Sequence, residues 1–112
     1  MPHRLEHEIN QLHAQVCAAL ADPKRILILY ALSEKACTVT EMVDQLELSQ
    51  PMVSRHLKVL RERGMVNTTR IGSSIEYSLA DTRLIEALNL LRSVLASNLR
   101  NQAALADSVD EL

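Results

Sequence analysis

Leu48-Ser49-Gln50-Pro51-Met52-Val53-Ser54-Arg55-His56-Leu57-Lys58-Val59-Leu60-Arg61 is the stretch on which the reading of this chain turns. Ser49 is a favoured helix N-cap, and Gly64 a little further on is the expected C-cap. Val53, Leu57 and Leu60 recur at helical spacing and define one apolar face, with His56 near its edge. The other face carries Gln50, Pro51, Ser54, Arg55 and Lys58. Immediately upstream, Thr38-Val39-Thr40-Glu41 has the form of a capping box, opening a helix that carries Met42, Val43 and Leu46 and ends near Glu47. Only Glu47-Leu48-Ser49 joins the two. Two short helices so tightly linked, the second basic on its exposed face, form a helix-turn-helix pattern over residues 38–63.

Outward from this core, Met65–Ile71 and Ile75–Leu79 are β-prone runs around Gly72-Ser73-Ser74, which predicts a hairpin over 65–79. A hairpin directly after such a helix pair is a wing. Upstream, Asp22-Pro23 joins a good N-cap to a preorganised first helical position and leads into an apolar helix through Leu32. The first helix is predicted from Arg4 to Leu20, with Leu5, Ile9, Leu12, Val16 and Leu20 as its stripe. The last is predicted from 82 to 106, with Leu84, Leu88, Leu91, Leu95 and Leu99 as its stripe, widened by Ile85, Leu90 and Val94. Residues 107–112 read as a frayed acidic tail. The expected architecture is mainly α with a small β-hairpin wing: a winged helix-turn-helix of about five helices in a single domain, 1–112.

Composition narrows the function classes. The core must be aliphatic, since the chain has no Trp or Phe and only Tyr30 and Tyr77. No apolar run approaches the roughly 18–20 residues that span a bilayer, and the polar N-terminus lacks a signal-peptide core, so a cytoplasmic location is expected. Net charge is −2, but from Gln50 to Ser74 five basic residues face Glu62 alone, a local +4 that leaves −6 for the rest. A basic stretch in an acidic chain is the footprint of a nucleic-acid surface. An enzyme is not expected. The only glycines, Gly64 and Gly72, have structural explanations, and the sole base near a thiol is His13, one turn before Cys17. No cofactor is expected.

Leu20-Ala21-Asp22-Pro23-Lys24-Arg25-Ile26-Leu27-Ile28-Leu29 resembles the opening of ArsR/SmtB-type repressors. The Leu48–Arg61 segment is similar to their recognition helix. Gly64-Met65-Val66, with Arg70, Gly72, Tyr77 and Leu79, resembles their wing. These motifs cover the chain from about Leu20 to Leu79 in order. The resemblance implies a repressor that binds duplex operator DNA and is released by an effector, without naming that effector.

In this reading Gln50 pairs with adenine and Arg55 with guanine. Ser54 and Lys58 hold phosphates, as do the amides near Ser49. Arg70, Ser73 and Ser74 grip backbone or minor groove. Pro51 lies on the same outer face. A homodimer is expected, with Leu5, Ile9, Leu12 and Val16 of the first helix and Leu84, Leu88, Leu91, Leu95 and Leu99 of the last pairing across a two-fold axis. The effector stays open. The histidines and carboxylates of metal-sensing relatives on the last helix are missing, because no His follows His56. Thr38-Val39-Thr40 stands where arsenic- and cadmium-type members carry Cys-Val-Cys. His3 and His7, four apart, are the remaining metal candidates. Cys17 and Cys37 form a candidate thiol sensor of oxidants or reactive sulfur, or are simple packing residues, with Cys37 stapled against Met42. The alternatives are a metal- or metalloid-responsive repressor with a non-standard site and a winged helix that binds only proteins.

Overall fold

The computed structural model describes residues 2–110. They fall into two compact units, one up to Thr82 and one from Arg83.

The first unit begins with a helix in three consecutive pieces: α1 (His3–Leu12), a π-helical turn (His13–Cys17) and α2 (Ala18–Leu20). An unbroken α-helix was predicted here. Apolar spacing does not signal a π turn, which fits one extra residue into a turn. Its carbonyls are occupied from outside: the Arg63 guanidinium donates to the carbonyls of Ala14 and Gln15. Asp22 then caps α3 (Pro23–Glu34), its carboxylate accepting from the Lys24 amide at 2.8 Å, with Pro23 in the first turn. Ile28, Leu29 and Leu32 of α3 are buried, as expected of a helix apolar nearly all round.

Cys37 and Thr38 form a short strand, β1, that the sequence reading did not contain. Two residues are too few for an alternating pattern, and β1 exists only through its partner further along the chain. Thr38 also starts α4 (Val39–Leu46). Its hydroxyl accepts from the Glu41 amide at 3.3 Å, and its own amide donates to the Glu41 carboxylate at 3.1 Å, completing the predicted capping box. α4 stops at Glu47, whose backbone is left-handed at φ 55°.

Ser49 caps α5 (Gln50–Glu62), its hydroxyl accepting from the Met52 amide. The far end of α5 is a Schellman motif. The Met65 amide reaches the Leu60 carbonyl at 2.9 Å and the Gly64 amide reaches that of Arg61 at 3.0 Å, with Gly64 at φ 72°. Met65, which follows Gly64 in the motif, is buried.

β2 (Val66–Ile71) and β3 (Ser74–Leu79) then make an antiparallel hairpin registered Val66↔Leu79 through Ile71↔Ser74. β3 also pairs with β1, Cys37 opposite Tyr77, so the sheet has three strands in the order β1-β3-β2. The core of this unit is aliphatic: Ala19, Ile28, Leu29, Leu32, Met42, Val53, Leu57, Leu60 and Val66, with Cys37 among them.

The second unit is one helix, α6 (Arg83–Asp110). It continues past the expected end at Ala106, so 107–110 are helical rather than a frayed tail. The remainder of that tail, 111–112, lies outside the described residues. No helix among the described residues is long and apolar enough to cross a membrane.

Candidate nucleic-acid interface

α5 has two faces of opposite character. Val53, Leu57 and Leu60 have no exposed surface, and His56 keeps only 6%. On the other side Gln50, Pro51, Arg55 and Lys58 are exposed and Ser54 is half-buried. The exposed Gln50 side-chain amide donates to the Ser54 hydroxyl at 3.0 Å, a local bond that engages its nitrogen.

The helix start is less open to an anion than the sequence suggested. Pro51 has no amide hydrogen, the Met52 amide is taken by Ser49 Oγ, and the Val53 amide by the Ser49 carbonyl. Ser49 therefore acts as a cap, and few amides remain for a phosphate.

At the wing tip, Arg70, Ser73 and Ser74 are exposed, together with Ile71 and Ile75. Gly72, at φ 61°, opens a two-residue turn between the paired Ile71 and Ser74. Ser73 does not share the positive φ, so the turn is of the glycine-first II′ kind, whose twist suits a hairpin. Of the basic residues between Gln50 and Ser74, Arg55, Lys58, Arg61 and Arg70 are exposed. Arg63 is not available in the same way, because its guanidinium is engaged by the π turn.

A polar cluster behind α5 had no signal in spacing. Arg25 Nε donates to the Ala19 carbonyl at 2.7 Å and Nη2 to that of Ala18 at 3.3 Å. Its Nη1 lies 3.4 Å from His56 Nδ1 and 3.9 Å from Asp22 Oδ2. His56 Nε2 stands 3.9 Å from the same Asp22 oxygen. A guanidinium nitrogen can only donate, so His56 Nδ1 is the acceptor and the proton of the neutral ring sits on Nε2, the nitrogen on the Asp22 side. Burial pushes the His56 pKa below its ordinary value, helped by the positive charges of Arg25, Arg55 and Lys24 and opposed by Asp22. The Asp22 carboxyl is itself held low, first by the Lys24 amide. Asp22 had been read only as a cap and Arg25 only as part of a motif.

The remaining candidates are placed as follows. Cys17 is exposed at the end of the π turn, whereas Cys37 is wholly buried. Burial and the Glu41 carboxylate push the Cys37 thiol pKa up, and its Sγ donates to the Lys35 carbonyl at 3.3 Å. His3 and His7 lie exposed on α1, and no group of three or more His, Cys, Asp or Glu side chains suited to a metal comes together among the described residues. Leu5, Ile9 and Leu12 form an exposed row on α1, and Val16 is half-buried. On α6, Leu91, Leu95 and Leu99 are more than half exposed, as are Leu90 and Val94, while Leu84 is half-buried and Leu88 is buried.

Two short helices joined by a tight link, the second exposing a basic polar face and followed by a three-stranded wing sheet, define a winged helix-turn-helix. A model of the bacterial regulatory proteins of the arsR family matches residues 22–68. The chain is 43% identical over 77 residues to the transcriptional repressor SmtB of Mycobacterium tuberculosis, a match covering 69% of this chain and 57% of that protein. It is 37% identical over 94 residues to the transcriptional regulator CmtR of the same species, covering 84% and 80%. The homodimeric winged helix-turn-helix DNA-binding domain of Mb0332 from Mycobacterium bovis superposes with a TM-score of 0.76 at 24% identity, covering 90% and 93%. The chain belongs to the ArsR/SmtB family of bacterial regulatory proteins, a family of transcriptional regulators rather than enzymes.

Proposed function

We propose that this chain is a sequence-specific transcriptional repressor that binds duplex operator DNA as a homodimer and is released by an effector. The observation that carries the reading is the division of α5: four core positions buried on one side, and Gln50, Pro51, Arg55 and Lys58 open on the other. A helix in the major groove needs this division, since it must be held by its own domain while offering side chains to base edges. Gln50 and Arg55 read bases, Lys58 and Ser54 meet phosphates, and Arg70, Ser73 and Ser74 contact DNA from the wing. Homodimerisation is supported by the exposed apolar rows on α1 and α6, and a two-fold pair would bring two heads onto half-sites about one helical turn apart.

For release, the thiol reading keeps one accessible residue. Cys17 is exposed to oxidant or reactive sulfur. Cys37 is buried with a raised thiol pKa, so it holds little of the thiolate that reacts. A Cys17–Cys37 bridge, formed when an added peroxide removes two electrons and two protons from the thiols, requires β1 to open first. A gel shift of reduced protein on the DNA upstream of its own coding sequence, across a salt series, tests the repressor reading. Binding that weakens steeply with salt but exceeds binding to a scrambled duplex supports it. Equal or absent binding on both duplexes refutes it and leaves a protein-interaction module.

A further inference from the structure

The Asp22–Arg25–His56 cluster joins three parts of the first unit that a DNA reader must keep aligned. Arg25 is anchored to the carbonyls of Ala18 and Ala19 at the end of the first helix. Asp22 is the cap of α3. His56 projects from the buried side of the helix whose other side carries Gln50, Arg55 and Lys58. The contact that closes the cluster, Arg25 to His56 Nδ1, exists only while that nitrogen keeps its lone pair.

We propose that His56 is a positioning residue for DNA binding, and that its protonation unseats α5 from Arg25 and lowers operator affinity as the pH falls. The proposal rests on the DNA-binding reading above. A proton taken up at Nδ1 turns the acceptor into a cationic donor facing a guanidinium, so attraction becomes repulsion inside a buried site. The groups that bear on the ring are Asp22, which favours the proton, and Lys24, Arg25 and Arg55, which oppose it, as does burial. The sign is diagnostic. An added positive charge on a DNA-facing helix would by itself strengthen DNA binding through phosphate attraction. Release of the helix seat predicts weakening.

The test is a fluorescence-anisotropy titration of the full chain, as it exists, against a labelled duplex from upstream of its coding sequence and against a scrambled duplex. It is run at constant salt from pH 7.5 to 5, with circular dichroism at each pH to confirm the fold. One linked proton per protomer gives at most about a tenfold loss of affinity per pH unit, and so at most about a hundredfold for the dimer. The expected result is a progressive loss on the upstream duplex at the acid end with the helical signal retained. His56→Asn places a neutral acceptor near the Nδ1 position and should flatten the profile. Asp22→Asn keeps a good N-cap but removes the charge that favours the proton, so its midpoint should move to lower pH. This second variant decides the matter if His56→Asn does not fold. An affinity constant or rising toward acid, or an acid loss that survives in His56→Asn or keeps its midpoint in Asp22→Asn, overturns the proposal while leaving the DNA reading intact. No binding to the upstream duplex at pH 7.5 overturns both.

Discussion

Arg55 and Lys58 carry the same charge on the same exposed face of α5, yet they should fail differently when removed. If Arg55 or Gln50 reads a base, replacement by Ala costs about 1–3 kcal/mol on the cognate site and relaxes preference at one position. Lys58→Ala should weaken all duplexes alike and flatten the salt slope. Affinity measured on operator and scrambled DNA across a salt series separates the two, and unchanged operator affinity in both the Gln50 and Arg55 variants would remove α5 from the interface. His56 also sets the pH response of stability. Its native pKa is depressed, so between that value and the ordinary 6.5 the unfolded chain binds a proton that the native chain does not. Its contribution is complete above 6.5 and is lost as the pH falls through that window, so thermal melts should shift downward there, and further in Asp22→Asn, where the missing carboxylate lets the native His56 pKa fall lower still. At this scale, what the sequence revealed was whatever depends on position along one helix. Val53, Leu57 and Leu60 are buried because their spacing puts them on one side. That Arg25 would meet His56, 31 positions away, depends on how α3 packs on α5, and no local pattern encodes it.

Among the elements, the ends of α3, α4 and α5 were largely legible because caps are local chemistry: Asp22, the Thr38–Glu41 box, Ser49 and Gly64 all occupy their expected stations. Glu47 is the exception. It ends α4 in a left-handed conformation that glycine adopts at far less cost, because its side chain crowds the backbone there. Glu47→Gly should stabilise the domain by up to about 1 kcal/mol in chemical denaturation, with the slope unchanged. A loss of stability would mean that the Glu47 side chain holds something more valuable than the strain it carries. β1 and the π turn escaped the sequence reading for a shared reason: each is made by a distant partner. Tyr77 in β3 completes the one, and Arg63 beyond α5 occupies carbonyls of the other. The placing of the candidate DNA side chains and of Ser49 as a cap was recoverable from the local sequence, whereas the engagement of Arg63 with the first helix was not.

For the whole molecule, self-association is the property most open to test. Leu91, Leu95 and Leu99 leave more than half their surface exposed on α6, and a solitary chain gains nothing from a row of exposed leucines. Leu91→Asp or Leu95→Asp would place an unpaired charge in the apolar seam of a dimer, at a cost of several kcal/mol. Sedimentation should show the wild type as a dimer at micromolar concentration and these variants as monomers that no longer hold the operator. A charged variant that stays dimeric would place the seam elsewhere. The π turn gives the apolar row of α1 a vulnerability of its own, one of phase. It accommodates a residue more than a regular helix would, between an outer segment carrying Leu5, Ile9 and Leu12 and an inner segment hooked by Arg25. Deleting one residue within His13–Cys17 lets the whole run close as ordinary α-helix with its two segments still nearly in phase, whereas deleting a second turns the outer segment about its axis by about 100° relative to the inner one. The three outer side chains would then point along a different bearing from the head they serve. The double deletion should leave helical content nearly intact while abolishing association and the single deletion should preserve it, making chain length at this turn a rotary setting for the whole assembly.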